Sequence, residues 1–259
     1  TGHYARVEHA GDGARLRLAV DANKDQTYFL HQLSQAQLSR ALFPLADLTK
    51  AEVREKARQL GLANAEKKDS TGICFIGERR FADFLDRYLP RNPGPIMTPE
   101  GEVVGEHRGL AWYTIGQRQG LGIGGVAARE EAPWFVACKD VERNALIAVQ
   151  GGDHPLLYAS QLSGEQLHWI SGQPPSEAPI PCLCRLRHRQ SLQRCTIVGY
   201  DSQSCQVRFD APQRAITPGQ SAVFYQGDEC LGGCVIHQAD GAGLDRSAIR
   251  SLDASAVEH

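Results

Sequence analysis

The sequence has no apolar run approaching the ~18 residues that a membrane-spanning helix needs, and no signal peptide is visible. It also lacks a basic excess, because 28 Lys and Arg stand against 30 Asp and Glu, for a net charge of −2. Global attraction to nucleic acid is therefore excluded, and any RNA site must be a local patch. A hydrophobic content of 42% is ordinary for a globular protein of one to three domains. We expect a cytoplasmic protein with no membrane partner.

Nucleotide-binding loops of the familiar kinds are missing. No GK[ST] tripeptide occurs, which excludes a Walker phosphate loop. Residues 120–125, GLGIGG, match GxGxxG by letter. A dinucleotide loop must open a helix, however, and here residues 126–133 lead to another predicted strand, so we expect glycine-rich hairpin turns instead.

Eight cysteines are irregularly spaced, which fits a reducing cytosol better than a disulfide scaffold. Structural zinc sites present paired Cys-x2-4-Cys knuckles. Only Cys230 and Cys234 have such a spacing, while Cys182 and Cys184 lie in a strand pattern. We therefore expect buried free thiols and no tightly bound metal.

One cysteine stands in an unusual setting. Cys74 lies within residues 67–77, KKDSTGICFIG, with two lysines upstream and two arginines at 79–80. Nearby cations favour the thiolate, which is the nucleophilic form. A thiol packed as a small hydrophobe between Ile73 and Phe75 is the alternative. The residues alone leave both interpretations open.

Local signals predict the elements of the first 90 residues. Alternation over residues 1–20 predicts two short strands joined by a Gly-Asp-Gly turn. Capping boxes beginning at Ser34 and Thr49 predict two helices, the second ending at Gly61. Helical spacing of apolar residues predicts a third helix over residues 81–88.

The later part of the chain reads as strands. Residues 112–115, WYTI, predict a strand, and residues 134–137 are expected to pair with residues 146–149. Turn signals every ~8–12 residues over 156–238 predict a small barrel or sandwich.

Basic residues cluster on one predicted strand of that barrel. Arg185, Arg187 and Arg189 alternate, so a strand would place them on one face as a basic stripe suited to an RNA backbone. Ordinary solvated arginines are the alternative.

Residues 21–26, DANKDQ, form a polar loop. Asp21 or Asn23 could simply cap the segment that follows. Alternatively, Lys24 contacts phosphate while Asp25 and Gln26 meet base or sugar edges, since these residue types suit RNA.

Three runs together, KDQTYFL (24–30), DSTGICFIG (69–77) and YTIGQRQGLGIGG (113–125), resemble the tRNA-specific 2-thiouridylase family, with similarity from Thr1 to about Gln238. The resemblance implies a multi-domain α+β protein. Its parts would be a remnant of an α/β PP-loop nucleotide-binding domain (1–80), a small β-rich central domain (81–155), a C-terminal RNA-binding β-barrel (156–240) and a flexible tail (241–259).

The resemblance also implies roles for single residues. Cys74 would be the catalytic persulfide cysteine, and Gly2 would touch ATP. Where the family normally has Arg-Tyr, this chain has Arg187-His188, a departure that removes the larger tyrosine face. The residues implied in tRNA binding are His3, Lys24, Asp25, Gln26, Arg187, His188 and Gln220.

By the same resemblance, ATP, with Mg²⁺, adenylates the 2-oxo group of the wobble uracil, and a persulfide loaded by a sulfur-donor protein delivers sulfur. The family's amino-terminal half carries a pyrophosphatase loop and a second cysteine that forms a disulfide with this one. Neither occurs in this sequence, which begins Thr-Gly-His-Tyr and has Met97 as its only methionine. We therefore expect the carboxy-terminal part of a monomeric enzyme, weak in tRNA binding and inactive alone.

Two other classes stay open. One is an RNA-binding module with a barrel and no chemistry. The other is a redox protein in which Cys74 forms a disulfide with Cys138 or another internal thiol.

Overall fold

The computed structural model describes residues 1–11, 13–67, 91–123 and 132–241, and these form two compact units. The first unit holds the described residues of 1–67 with 160–212 and 218–239. The second holds 91–123, 132–159, 213–217 and 240–241. The described part is mostly β with few helices, and the finer division into four segments stays a prediction.

The elements follow one another in a simple order. They are β1 (Arg6–Ala10), β2 (Gly13–Arg17), α1 (Thr27–Leu30), α2 (Gln35–Leu38), α3 (Lys50–Gln59), β3 (Gly94–Met97), β4 (Val103–His107), a 3₁₀ turn (Leu110–Trp112), β5 (Trp134–Asp140), β6 (Ala145–Gln150), a second 3₁₀ turn (Pro155–Leu157), β7 (Tyr158–Trp169), β8 (Ile180–Arg185), β9 (Gln193–Tyr200), β10 (Ser204–Arg214), β11 (Ser221–Gln226) and β12 (Glu229–Gly241).

The first unit is built on a closed barrel. Its sheet has the order β1-β2-β12-β11-β8-β9-β10-β7, and β12 also pairs with β7, which closes a ring of six strands. This confirms the barrel predicted for residues 156–238. The predicted hairpin is also confirmed, and β2 attaches it to β12 by pairing Leu16 with Cys230.

One apolar core joins the hairpin, the short helices and the barrel. Leu16 and Leu38 are fully buried, as are Val223 and Tyr225 on β11, and Tyr28 packs in the same cluster. Burying a large apolar side chain contributes roughly 1.5–3 kcal/mol. The segment around α1 is therefore fixed to the barrel by burial and not only by its flanking chain.

Both predicted capping boxes are present. Ser34 and Gln37 form the first, and Thr49 and Glu52 form the second. Gly61 has a φ of +64°, the left-handed conformation expected just beyond the second helix. Asp21 contacts the start of α3 and not that of α1, the helix that follows it in the chain. Its Oδ2 accepts the N–H of Lys50, the first residue of α3, at 2.9 Å. The predicted third helix over 81–88 lies outside the described residues.

The second unit contains a four-stranded sheet of order β4-β3-β6-β5. The expected pairing of residues 134–137 with residues 146–149 is confirmed, since β5 and β6 are antiparallel with Phe135 opposite Val149. The strand predicted for residues 112–115 is wrong. Gly109 has a φ of +141°, and Trp112 turns back so that its N–H donates to the carbonyl of Gly109. Strand-like composition misled because Trp112 is buried in a turn, beneath the guanidinium of Arg108.

Among the helices that the structure describes, none is long and apolar enough to cross a membrane.

Candidate nucleic-acid interface

Cys74, the predicted catalytic residue, lies outside the described residues, and its role stays a prediction. The structure does describe the other predicted site residues. All of them belong to the first unit.

Asp25 forms a buried ion pair with the barrel. Its Oδ1 accepts from Nη1 of Arg185 at 2.9 Å and from the hydroxyl of Thr27 at 2.6 Å, while its Oδ2 accepts the N–H of Ala19 at 3.0 Å. The two charged side chains are 1% and 8% exposed. The guanidinium also lies 5.5 Å from the centre of the Tyr225 ring. The carboxylate is thus occupied inside the protein, which favours a positioning role over direct contact with RNA.

The phenol of Tyr28 bridges the loop after β8 and the first residue of β11. Its oxygen lies 3.3 Å from the carbonyl of Leu186 and 3.1 Å from that of Ser221. Burial raises the pKa of this phenol, so it stays a protonated donor. Because Leu186 precedes Arg187 and Ser221 follows Gln220, the contact brings two predicted tRNA residues to the same place.

His188 completes the connection. Its Nε2 donates to the backbone carbonyl of Asp25 at 3.1 Å, which assigns the proton to that nitrogen. Its ring lies 4.6 Å from the ring of Phe29, centre to centre, at an angle of 48°. Phe29 is 58% exposed. Sequence reasoning missed Phe29, because nothing in the run Tyr-Phe-Leu separates the buried aromatic from the exposed one.

Gln26 ties the start of the chain to this region. Its Oε1 accepts the N–H of Tyr4 at 2.9 Å, and its own N–H donates to the carbonyl of Tyr4 at 2.8 Å. Gly2 and His3 therefore adjoin the same segment, and both are exposed. We call Lys24, Gln26, Phe29, Arg187, His188 and Gln220 the polar face.

The predicted arginine stripe is wrong. Strand β8 ends at Arg185, which turns inward to Asp25. Arg187 and Arg189 are exposed in the loop that follows, and Arg189 has a φ of +67°. The alternation rule fails because it holds only while the chain stays extended. The loop still presents two exposed cations, of which Arg187 belongs to the polar face.

The barrel cysteines are free thiols. Sulfur atoms of Cys182 and Cys195 lie 3.5 Å apart across β8 and β9, and those of Cys205 and Cys234 lie 3.6 Å apart. Burial raises the pKa of Cys184, which keeps it a neutral thiol. In the described ranges, no group of three or more His, Cys, Asp or Glu could hold a metal ion.

Comparison with known proteins decides the family. Models of a tRNA methyl transferase HUP domain, a tRNA methyl transferase PRC-barrel domain and an aminomethyltransferase β-barrel domain match residues 1–78, 82–150 and 159–236. The chain is 56% identical over 238 residues to the tRNA-specific 2-thiouridylase MnmA of Alcanivorax borkumensis, a match that covers 92% of this chain and 65% of that protein. It is 58% identical over 237 residues to the protein of that name from Thiobacillus denitrificans, covering 91% and 66%. The chain belongs to the tRNA-specific 2-thiouridylase family. It spans slightly less than two thirds of the length of these 2-thiouridylase relatives.

The family models divide the polar face between two matched parts of the chain. The part matched by the HUP model supplies Lys24, Gln26 and Phe29. The part matched by the β-barrel model supplies Arg187, His188 and Gln220. The polar face therefore depends on the contact between these two parts, which the Asp25–Arg185 pair and the Tyr28 phenol hold together.

Proposed function

We propose that this chain belongs to an ATP-dependent tRNA 2-thiouridylase, in which it holds the anticodon loop and supplies the persulfide cysteine. The chief support is that all seven predicted tRNA-binding residues, drawn from two matched domains, lie in one unit whose two parts are joined by a buried ion pair. The curated relatives carry the name of that activity. The nucleotide-binding domain to which residues 1–80 would belong is of the PP-loop type.

The polar face suits an RNA backbone and its bases. Arg187 is exposed, and Lys24 is half-buried within the same region. Both would contact phosphates, which set affinity and its dependence on salt. The side-chain amide of Gln220 can both donate to and accept from base or sugar edges, and the NH₂ group of Gln26, whose Oε1 already accepts from Tyr4, can donate to them. Asp25 would orient the loop of residues 21–26 through its hydrogen bonds inside the protein.

The reaction would take two steps, in which ATP activates the uracil and the persulfide of Cys74 then delivers sulfur. ATP, bound in part at Gly2 and accompanied by Mg²⁺, would activate the 2-oxo group of the wobble uracil by adenylation, with pyrophosphate leaving. The Cys74 persulfide, loaded by a sulfur-donor protein, would attack C2 of the uracil, the carbon that bears the adenylated oxygen, with AMP leaving. A second cysteine would then break the persulfide bond, leaving a disulfide with Cys74 and sulfur on the base. Exclusion of water protects the activated base from hydrolysis.

Labelled-sulfur transfer to tRNA tests this function. In the enzyme that contains this chain, Cys74→Ser should abolish thiolation. Cys138→Ser is the matched control and should leave thiolation unchanged, since Cys138 is a half-buried thiol of β5. Undiminished turnover by the Cys74 variant would contradict the proposal and favour an RNA-binding module. Equal loss in both variants, with a Cys74–Cys138 disulfide found by mass mapping, would favour the redox alternative.

The 259-residue chain by itself gives a second test. We expect it to bind tRNA weakly and to form no ATP-dependent 2-thiouridine. Robust product from this chain alone would refute the division of labour proposed for ATP activation.

A further inference from the structure

Phe29 differs from every other aromatic side chain in the described residues. It is 58% exposed, whereas each other described Phe, Tyr and Trp is buried or half-buried. Burying a Phe contributes about 1.5–3 kcal/mol, so its position at the surface forgoes a large part of that stabilisation. A single exposed apolar residue needs no explanation by itself. The surroundings of this one supply a reason.

The ring of Phe29 is held in place on two sides. Tyr28 meets it edge-on, with ring centres 5.4 Å apart and planes at 82°. His188 packs against it at 4.6 Å, and the Nε2 of that imidazole is itself anchored to the carbonyl of Asp25. The backbone N–H of Phe29 donates to the carbonyl of Gln26 at 3.0 Å. An aromatic surface fixed in this way loses little conformational freedom when a ligand covers it.

The charges beside the ring match a nucleic-acid strand. Lys24 lies on the same segment, and Arg187 directly precedes the histidine that packs on Phe29. Proteins that bind unpaired nucleotides combine cations along the phosphate backbone with aromatic faces on which bases stack. An apolar protein partner would find these cations costly to desolvate.

We propose that Phe29 is a base-stacking residue, on whose exposed ring an unpaired nucleobase of the bound RNA packs while His188 fixes the ring's orientation. The inference rests on the proposed RNA-binding function. It adds a specific contact that works through an aromatic face instead of through charge.

Binding of the 259-residue chain to a fluorescently labelled anticodon stem-loop with a wobble uridine, measured by anisotropy over a salt series, tests the inference. Stacking is worth ~1–3 kcal/mol per base, so Phe29→Ala should weaken binding by a factor of roughly 5 to 150. Phe29→Leu keeps the apolar volume without the π-face and should lose as much. Phe29→Trp should bind as tightly as the wild type, and its added fluorescence should be quenched by the RNA.

The salt series separates stacking from charge. Phe29→Ala should leave the slope of log K against log salt unchanged, whereas Arg187→Ala should reduce that slope by about 1. Leu60→Ala is the matched control, since Leu60 is 74% exposed in the same unit and lies off the polar face. It should not alter binding. Because Phe29 is exposed, its variants should keep the wild-type thermal midpoint.

Two outcomes would overturn the inference. Wild-type affinity in Phe29→Ala, or in Phe29→Leu, would show that no base stacks there, while salt-dependent binding by the wild type would leave the proposed function standing. Absence of any binding by the wild-type chain would contradict the RNA-binding function together with this contact.

Discussion

The Asp25–Arg185 ion pair offers the sharpest perturbation, because it joins two residues 160 positions apart in a buried place. Asp25→Asn leaves the guanidinium of Arg185 in the interior without its counter-charge. Arg185→Met leaves the carboxylate of Asp25 in the same condition. Removing one partner of a buried pair costs about 3–5 kcal/mol, and side-chain exposures of 1% and 8% place this pair in that class.

Replacing both residues should cost far less than the sum of the two single changes. In Asp25→Asn/Arg185→Met no charge remains inside, the asparagine oxygen can still accept from Ala19, and the methionine fills the space beside Tyr225. Buried pairs exchanged for apolar groups of similar volume are often neutral. We therefore expect a coupling free energy of at least about 3 kcal/mol, measured by urea unfolding of the four proteins.

RNA binding by the same four proteins decides what Asp25 does. If it only positions the loop, the double variant should recover most of the affinity that each single variant loses. If each single variant lowers the free energy of unfolding by less than about 1 kcal/mol, and the two effects simply add, the ion pair does not hold the two segments together. A double variant that regains stability but not RNA binding would show instead that Asp25 contacts RNA directly.

The remaining predictions concern stability. Burial lowers the pKa of His31 from its ordinary value of 6.5, so the folded protein holds it neutral. As the pH falls below 6.5, the unfolded chain takes up a proton on this histidine before the folded protein does. The free energy of unfolding therefore decreases, by up to about 1.4 kcal/mol per pH unit, until the lower pKa of the folded state is reached. His31→Gln should flatten that decline in denaturation curves between pH 7.5 and 5, and an unchanged decline would contradict the assignment. Thr49→Ala removes the oxygen that accepts the N–H of Glu52 and should destabilise the chain by about 1 kcal/mol; Ser39→Ala, beyond the end of α2, should change little, and equal losses in urea unfolding would count against the cap.

Local patterns predicted local structure well. Each capping box spans only four residues, and the hairpin lies within the first twenty. The residues that determine these elements are therefore close together in the sequence. Turn spacing over residues 156–238 was likewise enough to predict a small barrel or sandwich, although not the bounds of its strands. The strand expected at Trp112 failed because a single left-handed glycine, Gly109, redirects the chain.

Contacts between distant segments could not be predicted in this way. The inward turn of Arg185 depends on Asp25, and neither position carries a sign of the other. The exposure of Phe29 beside the buried Tyr28 follows from how α1 packs on the barrel. Resemblance supplied the site residues, whereas only the structure shows which of them face solvent. For Cys74 the prediction still rests on sequence.

RNA binding by the polar face is tested most directly by the salt dependence of stem-loop binding in Lys24→Ala, Arg187→Ala and the double variant, with Lys56→Ala on the exposed surface of α3 as control. If both cations contact one RNA backbone, each single change should lower the slope of log K against log salt by about 1 and the double change by about 2, with no change in the control. Slopes that stay at the wild-type value in all four variants would contradict RNA binding at this face.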